Sequence, residues 1–290
     1  MLLGKWAALL AVVVVMEGTA AFPSPLLIRK VGEEAALDCT GAPGEKVEWQ
    51  HEGRTQPESG RHFSLHHLDI PYAGNYSCWA ESRLLHSVYV AVWVPEVYLI
   101  DEREGEEGEP AITCWAPSYS GILNCSWKSL HQATFQVHLR RTEPDAALCP
   151  SVEVAVPGNK MVHILLEDCS FCPYAEETPL VLVLKGLAED GGYTEVRKTF
   201  FLREIVKPDA PSYLSIVGQR ISWAPPVSWN LPAAYFPLQY NLRLESSSSK
   251  EDLFIDGLEL TTKQENWQKG WIRCQDRFMN SAWSSWREWV

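Results

Sequence analysis

The chain has 290 residues and a formal net charge of −12. That length exceeds one small β-domain and predicts two or three domains. The acidic balance, unbroken by any basic block, argues against nucleic acid or an anionic membrane surface as partner.

Residues 1–21 read as a secretory signal. Lys5 supplies the positive start, residues 6–16 are apolar, and Gly18, Thr19, Ala20 and Ala21 are the small residues a signal peptidase needs. The run is shorter than the roughly 20 apolar residues of a membrane span. Residues 180–184 are too few, and residues 88–100 are interrupted by Pro95 and Glu96. The expectation is a secreted, extracellular chain without a membrane span, whose cysteines pair.

Residues 22–95 predict an immunoglobulin-like sandwich. Cys39 shares a strand face with Ala35 and Leu37, Trp49 follows in Val47-Glu48-Trp49, and Tyr76 stands two before Cys78. This Cys, Trp, Tyr-x-Cys order predicts a bridge Cys39–Cys78 between opposite sheets, with Trp49 packed on it and Tyr76 at the tyrosine corner. Such a bridge stabilises by on the order of 3–4 kcal/mol. Tyr72 stands where many such domains carry Asp, so the usual Arg–Asp brace is expected to be missing. Asn75-Tyr76-Ser77 is a glycosylation sequon. His62, His66 and His67 lie close together, but adjacent His66 and His67 point to opposite strand faces, which spoils a metal site.

Residues 96–206 open with the acidic run 101–109, read as a solvated loop. Cys114 and Cys125 flank ten residues and Trp127 closes a Cys-x-Trp pattern, predicting a bridge across neighbouring strands. Asn124-Cys125-Ser126 is a second sequon, a weaker acceptor because cysteine holds its middle position. Phe135, Val137 and Leu139 alternate with polar residues, as do Val152, Val154 and Val156. Residues 180–184 read as a buried strand, and Asp190-Gly191 within residues 189–192 as a hairpin turn. The result is a fibronectin type III-like sandwich. Cys149, Cys169 and Cys172 remain. No zinc-ligand spacing or βα redox context surrounds Cys169-x-x-Cys172. The residues alone predict one bridge from Cys149 and one spare thiol, suited to an intermolecular bond.

Residues 207–290 begin with Lys207-Pro208-Asp209-Ala210-Pro211, a stiff extended linker, and predict a second fibronectin type III-like sandwich. Its strands include 221–223 and 236–244, with 246–252 a mobile turn. Trp271, Arg273, Gln275 and Arg277 then share one face of a strand, and Trp283, Trp286 and Trp289 follow. Arginine stacks on indole, so Arg273 and Arg277 are expected to slot between Trp283 and Trp286. Cys274, on the opposite face, reads as a buried free thiol.

Trp283-Ser284-Ser285-Trp286, with the Cys114–Cys125-x-Trp127 pattern, resembles the paired signatures of class I cytokine receptors, and so an all-β cytokine-receptor homology module behind the immunoglobulin-like domain. The segments 118–121, 172–177, 200–211 and 275–277 further resemble the interleukin-12/interleukin-23 beta-subunit family of soluble receptor-like proteins. That resemblance implies a secreted subunit of a heterodimeric cytokine. It would bind a four-helix-bundle alpha subunit and present it to a cell-surface cytokine receptor in immune signalling. It implies Cys149–Cys169 as the internal bridge and Cys172 as the interchain disulfide, although the short gap leaves the roles of Cys169 and Cys172 exchangeable. It further implies that Tyr119, Tyr235, Asp276 and Phe278, in loops at the elbow of the second and third domains, line a pocket for a cationic side chain. Homodimer formation stays open. The alternative is a soluble cytokine-receptor alpha chain or decoy, which needs no spare Cys172. No phosphate loop, nucleophile elbow or paired-carboxylate motif is present, so neither an enzyme nor a cofactor is expected.

Overall fold

The computed structural model describes residues 22–40, 46–104, 106–142, 149–169, 176–263 and 266–289. The expected signal segment, 1–21, and Cys172 lie outside the described residues. Apart from three single turns of helix, every regular element is a strand. Among the described residues, no helix is long and apolar enough to cross a membrane.

In the first sandwich, alternation in Ala35–Asp38 and His62–Leu65 buries Ala35, Leu37, Phe63 and Leu65. They pack against the sheet that contains Glu48–His51, Gly74–Ala80 and Arg83–Trp93. Cys39 and Cys78 are joined at 2.01 Å between these layers. Trp49 is fully buried, and its indole N–H donates to the Gly60 carbonyl at 2.9 Å. The Tyr76 hydroxyl donates to the backbone carbonyl of Tyr72 at 2.8 Å. Tyr72 thus contributes to the corner through its backbone. The chain leaves the strand at Leu65, and His67 takes a left-handed φ of 53°, so His66 and His67 sit in a turn and not on a strand.

In the second sandwich Thr113–Trp115, Ile122–Ser129 and Lys160–Glu167 form one sheet. Cys114 and Cys125 occupy directly paired positions of its first two strands. Trp127 packs edge-on against Phe135 of the opposite sheet, with ring centroids 5.2 Å apart. That sheet comprises Val152–Val156, Ala133–Arg141, Leu180–Ala188 and Gly192–Phe200. It does not stop at the domain boundary. Gly192 and Tyr193 pair in parallel with Val92 and Trp93, so the two domains share one nine-stranded sheet.

The third sandwich packs Tyr213–Val217, Arg220–Ala224 and Glu259–Thr261 against Lys250–Ile255, Leu238–Glu245 and Lys269–Asp276. The segment expected as a mobile turn across 246–252 is shorter. It closes by Ser249, because Lys250 to Ile255 pairs residue by residue with the strand before it. The stack of cations and indoles also differs from expectation. The Arg273 guanidinium lies 4.6 Å from the Trp283 ring and 4.4 Å from Trp286. The next cation on Trp286 is Arg243, at 4.5 Å, and not Arg277. The strand ends at Asp276, so Arg277 leaves the stacking face and pairs with Asp256 at 3.1 Å. Arg243 lies directly across from Trp271 on the neighbouring strand, where a period of two keeps it on the same face. Cys274 is fully buried and forms no disulfide. Burial pushes its thiol up to about 12.

Candidate partner-binding site at the elbow

Hydrogen bonds tie the linker to the second and third sandwiches at both of its ends. Ala116 donates to Ile205 O at 3.0 Å and accepts from Lys207 N at 2.8 Å. This pins the loop that carries Tyr119 against the start of the linker. The single helical turn Leu202–Ile205 begins there, with the Glu204 carboxylate accepting from Phe201 N at 2.9 Å. At the far end, Arg287 Nε donates to Pro211 O at 2.8 Å.

Between the sandwiches lies a cleft of about 240 Å³. Tyr119, Tyr235, Asp276 and Phe278 all line it. Tyr119 is 6% exposed and Asp276 2%, whereas Tyr235 and Phe278 are each 65% exposed. The buried pair forms the floor and the exposed pair the rim. Tyr119 is wedged between Phe236, at a centroid distance of 5.1 Å, and Trp229, at 5.9 Å.

Asp276 is shaped by its own turn. Its Oδ1 accepts from Phe278 N at 2.8 Å and Met279 N at 3.1 Å, while its backbone N–H donates to Ser281 Oγ at 3.0 Å. This aspartate-initiated turn follows from a short carboxylate two residues before free amides. No cation pairs with Asp276 among the described residues. The Tyr119 hydroxyl is buried beside it without a hydrogen bond of ordinary geometry. Burial first, and the Asp276 charge second, push the Tyr119 pKa well above the usual phenol range.

Sequence reasoning did not find the other charged residues of the cleft, Arg141, Glu176 and Arg203. Arg141 Nε and Nη2 donate to Asp168 Oδ2 at 3.0 and 2.6 Å, and Nη1 donates to Thr178 O at 2.7 Å. This ion pair is almost wholly buried. Glu176 accepts from Leu202 N at 2.5 Å and lies 3.5 Å from Arg203. Arg203 also lies over the Phe201 ring at 3.8 Å. With Asp168 counted, three carboxylates face two guanidiniums, which leaves Asp276 as the uncompensated charge. Glu176 belongs to the segment 172–177 and Met279 to the turn after Asp276, so both were near residues already singled out. Arg141 carried no local signal.

Other predicted residues lie elsewhere. Cys149 and Cys169 are joined by a disulfide. Arg273, Trp283 and Trp286 form the stack on the third sandwich and do not line the cleft. Asn75 is exposed, with its side-chain oxygen accepting from Ser87 Oγ at 2.7 Å. Asn124 is half-buried in the middle of Ile122–Ser129. Among the described residues, no group of three or more His, Cys, Asp or Glu is placed to hold a metal ion.

The family model described as "Cytokine interleukin-12p40 C-terminus" matches residues 109–185, which carry Tyr119, Arg141 and Glu176. The chain is 26% identical over 282 residues to human (Homo sapiens) interleukin-12 subunit beta, covering 88% of this chain and 85% of that protein. It is 24% identical over the same length and coverage to the interleukin-12 beta subunits of Marmota monax and Mesocricetus auratus. These similarities run through all three sandwiches, so over most of its length the chain is similar to the interleukin-12 beta subunits, which are cytokine subunits.

Proposed function

We propose that this chain is the secreted beta subunit of a heterodimeric cytokine. It seats a cationic side chain of a four-helix-bundle alpha subunit in the elbow cleft and presents that subunit to a cell-surface cytokine receptor in immune signalling. The observation that carries the reading is the convergence of Tyr119, Tyr235, Asp276 and Phe278, from loops of two sandwiches, on one cleft whose floor is a carboxylate lacking a cation. Arginine suits this site better than lysine. Its planar fork can engage a carboxylate while its face lies on an aromatic ring, and buried aromatics surrounding a charge pair make strong binding anchors.

Cys172 is four residues before Glu176 in the sequence. A covalent bond from Cys172 would hold the partner at high effective concentration. Glycans at Asn75 and Asn124 are part of the same reading, as expected of a chain that passes through the secretory route.

The test is co-expression with candidate helical alpha subunits and separation on non-reducing gels. Wild type should give a covalent heterodimer. Cys172→Ser should abolish the covalent band yet leave a complex that co-purifies. Asp276→Asn keeps an acceptor for the Phe278 and Met279 amides but removes the charge; in the Cys172→Ser background it should weaken binding by about 2 kcal/mol, roughly 30-fold. Unchanged affinity on Asp276→Asn would sink the pocket assignment. Absence of a covalent heterodimer with every partner would favour the reversible decoy reading.

A further inference from the structure

The outer face of the sheet Thr113–Trp115, Ile122–Ser129 and Lys160–Glu167 carries polar residues, among them Ser126, Lys128, His163 and Glu167, but also one short apolar row. Trp115, Asn124 and Leu165 stand in direct register across its three strands. Residues so paired place their side chains side by side on one face, about 4.5–5.5 Å apart. Ile122 lies two residues along on the same face, and Met161 lies opposite Lys128 near the other end. Leu165 is 61% and Met161 55% exposed. The polar row Thr113, Ser126 and His163 separates Met161 from the others, so the apolar stretch that gains from a cover is Trp115, Leu165 and Ile122 around Asn124. At its centre is the one residue that can carry a cover covalently: Asn124, the acceptor of Asn124-Cys125-Ser126. Its side chain makes no hydrogen bond among the described residues, and it faces outward, opposite buried Leu123 and Cys125.

We infer that Asn124 carries an N-linked glycan whose first sugars lie across Trp115 and Leu165 and close this face of the second sandwich. The attachment happens on the unfolded chain. The Asn124 amide nitrogen displaces the diphosphate from C1 of the reducing-end N-acetylglucosamine of a polyprenyl-diphosphate oligosaccharide. A C–N bond forms, the C–O bond to the diphosphate breaks, and the amide loses one proton while the polyprenyl diphosphate departs. Pairing of the three strands then brings Trp115 and Leu165 to either side of the sugar. A pyranose presents C–H groups on one face, so laying it on an indole and a leucine removes apolar area from water. The inference rests on the secretory route of the proposed function and not on the elbow cleft, and the Asn75 sequon serves as the internal control for that route.

The test is glycopeptide mass spectrometry on the chain secreted from a glycosylating host, followed by dye binding. Both the Asn75 and Asn124 peptides should carry sugar. An unmodified Asn124 overturns the proposal, and with Asn75 modified it leaves the bare face to a protein partner. Asn124→Gln and Ser126→Ala remove the glycan by two routes, and each should bind roughly twofold more anilinonaphthalene sulfonate than wild type. Adding Leu165→Ser should return the signal to the wild-type level. Folded Ser126→Ala protein with unchanged dye binding would show that the sugar does not cover this face.

Discussion

Between the first and second sandwiches, backbone pairing joins the sheets, and Ala91, Leu187 and Tyr193 pack beside it in a small buried cluster. Val92 N donates to Gly191 O at 3.0 Å, Val94 N donates to Tyr193 O at 2.8 Å, and one sheet runs through both domains. Between the second and third, contact is made by side chains: Tyr119 packs against Phe236 and Trp229, and Arg287 Nε donates to Pro211 O at the far end of the linker. The backbone pairing is tight enough to demand glycine at its edge, although a pocket lined by Tyr89 and Leu187 opens beside it. A Cβ on Gly191, which has φ +88°, would lie 2.1 Å from the Ala73 Cβ, and one on Gly192 would lie 2.9 Å from the Tyr98 ring. Side-chain contact leaves a cleft. The first junction is held mainly by hydrogen-bonded strands, whereas at the second Tyr119, which packs against the third sandwich, also lines the open cleft and is available to a third body.

The largest effect at the elbow is expected from Arg141→Ala, which breaks a buried pair of the second sandwich beneath the cleft. It leaves Asp168 buried without its partner, which costs about 3–5 kcal/mol, and it loosens the cleft floor. A urea titration should show the stability loss, and heterodimer yield should fall with it. Wild-type stability would mean that the elbow does not depend on this pair. Next is Gly191→Val, which breaks the first junction by a backbone conformation and a clash together worth about 2–4 kcal/mol. Calorimetry should then resolve a separate transition for the first sandwich, while affinity for the alpha subunit in the elbow stays near wild type. A single unsplit transition would show that the shared sheet is not what couples the domains.

A smaller effect separates the stack from the cleft. Arg243→Ala removes a cation from Trp286 and should cost about 1 kcal/mol. Arg277→Ala removes only a half-exposed pair with Asp256 and should cost no more than about 0.5 kcal/mol. Equal losses on chemical denaturation, or the reverse order, would restore Arg277 to the stack.

What the sequence made legible was local. Alternation exposed the strands around Phe135, Val154 and Arg273, because a period of two needs only a few neighbours. The order Cys39, Trp49, Tyr76, Cys78 exposed the first sandwich because its packing couples fixed spacings. What stayed hidden was pairing over long separations. Arg243 lies 30 residues before Arg273, and no spacing says that their strands are neighbours. Arg141 reaches Asp168 only after two strands have folded back. The shared sheet left one unread trace. A two-residue turn at Asp190-Gly191 does not need a second glycine, and Gly192 is explained by the approach of Tyr98.

Asp276 has a consequence for the free chain. Two backbone amides hold its carboxylate before any partner arrives, so the rotamer freedom that a surface aspartate loses on complex formation is already spent in folding, which favours association by up to about 1 kcal/mol. The same confinement keeps a 2% exposed carboxylate without a counter-ion among the described residues, which is a costly arrangement. Binding therefore has two thermodynamic sources at one atom group: an ordering penalty already met, and a desolvation penalty that only a cation relieves. A neutral side chain of the same shape would gain the first and forfeit the second, so this turn selects its partner by charge before it selects by fit.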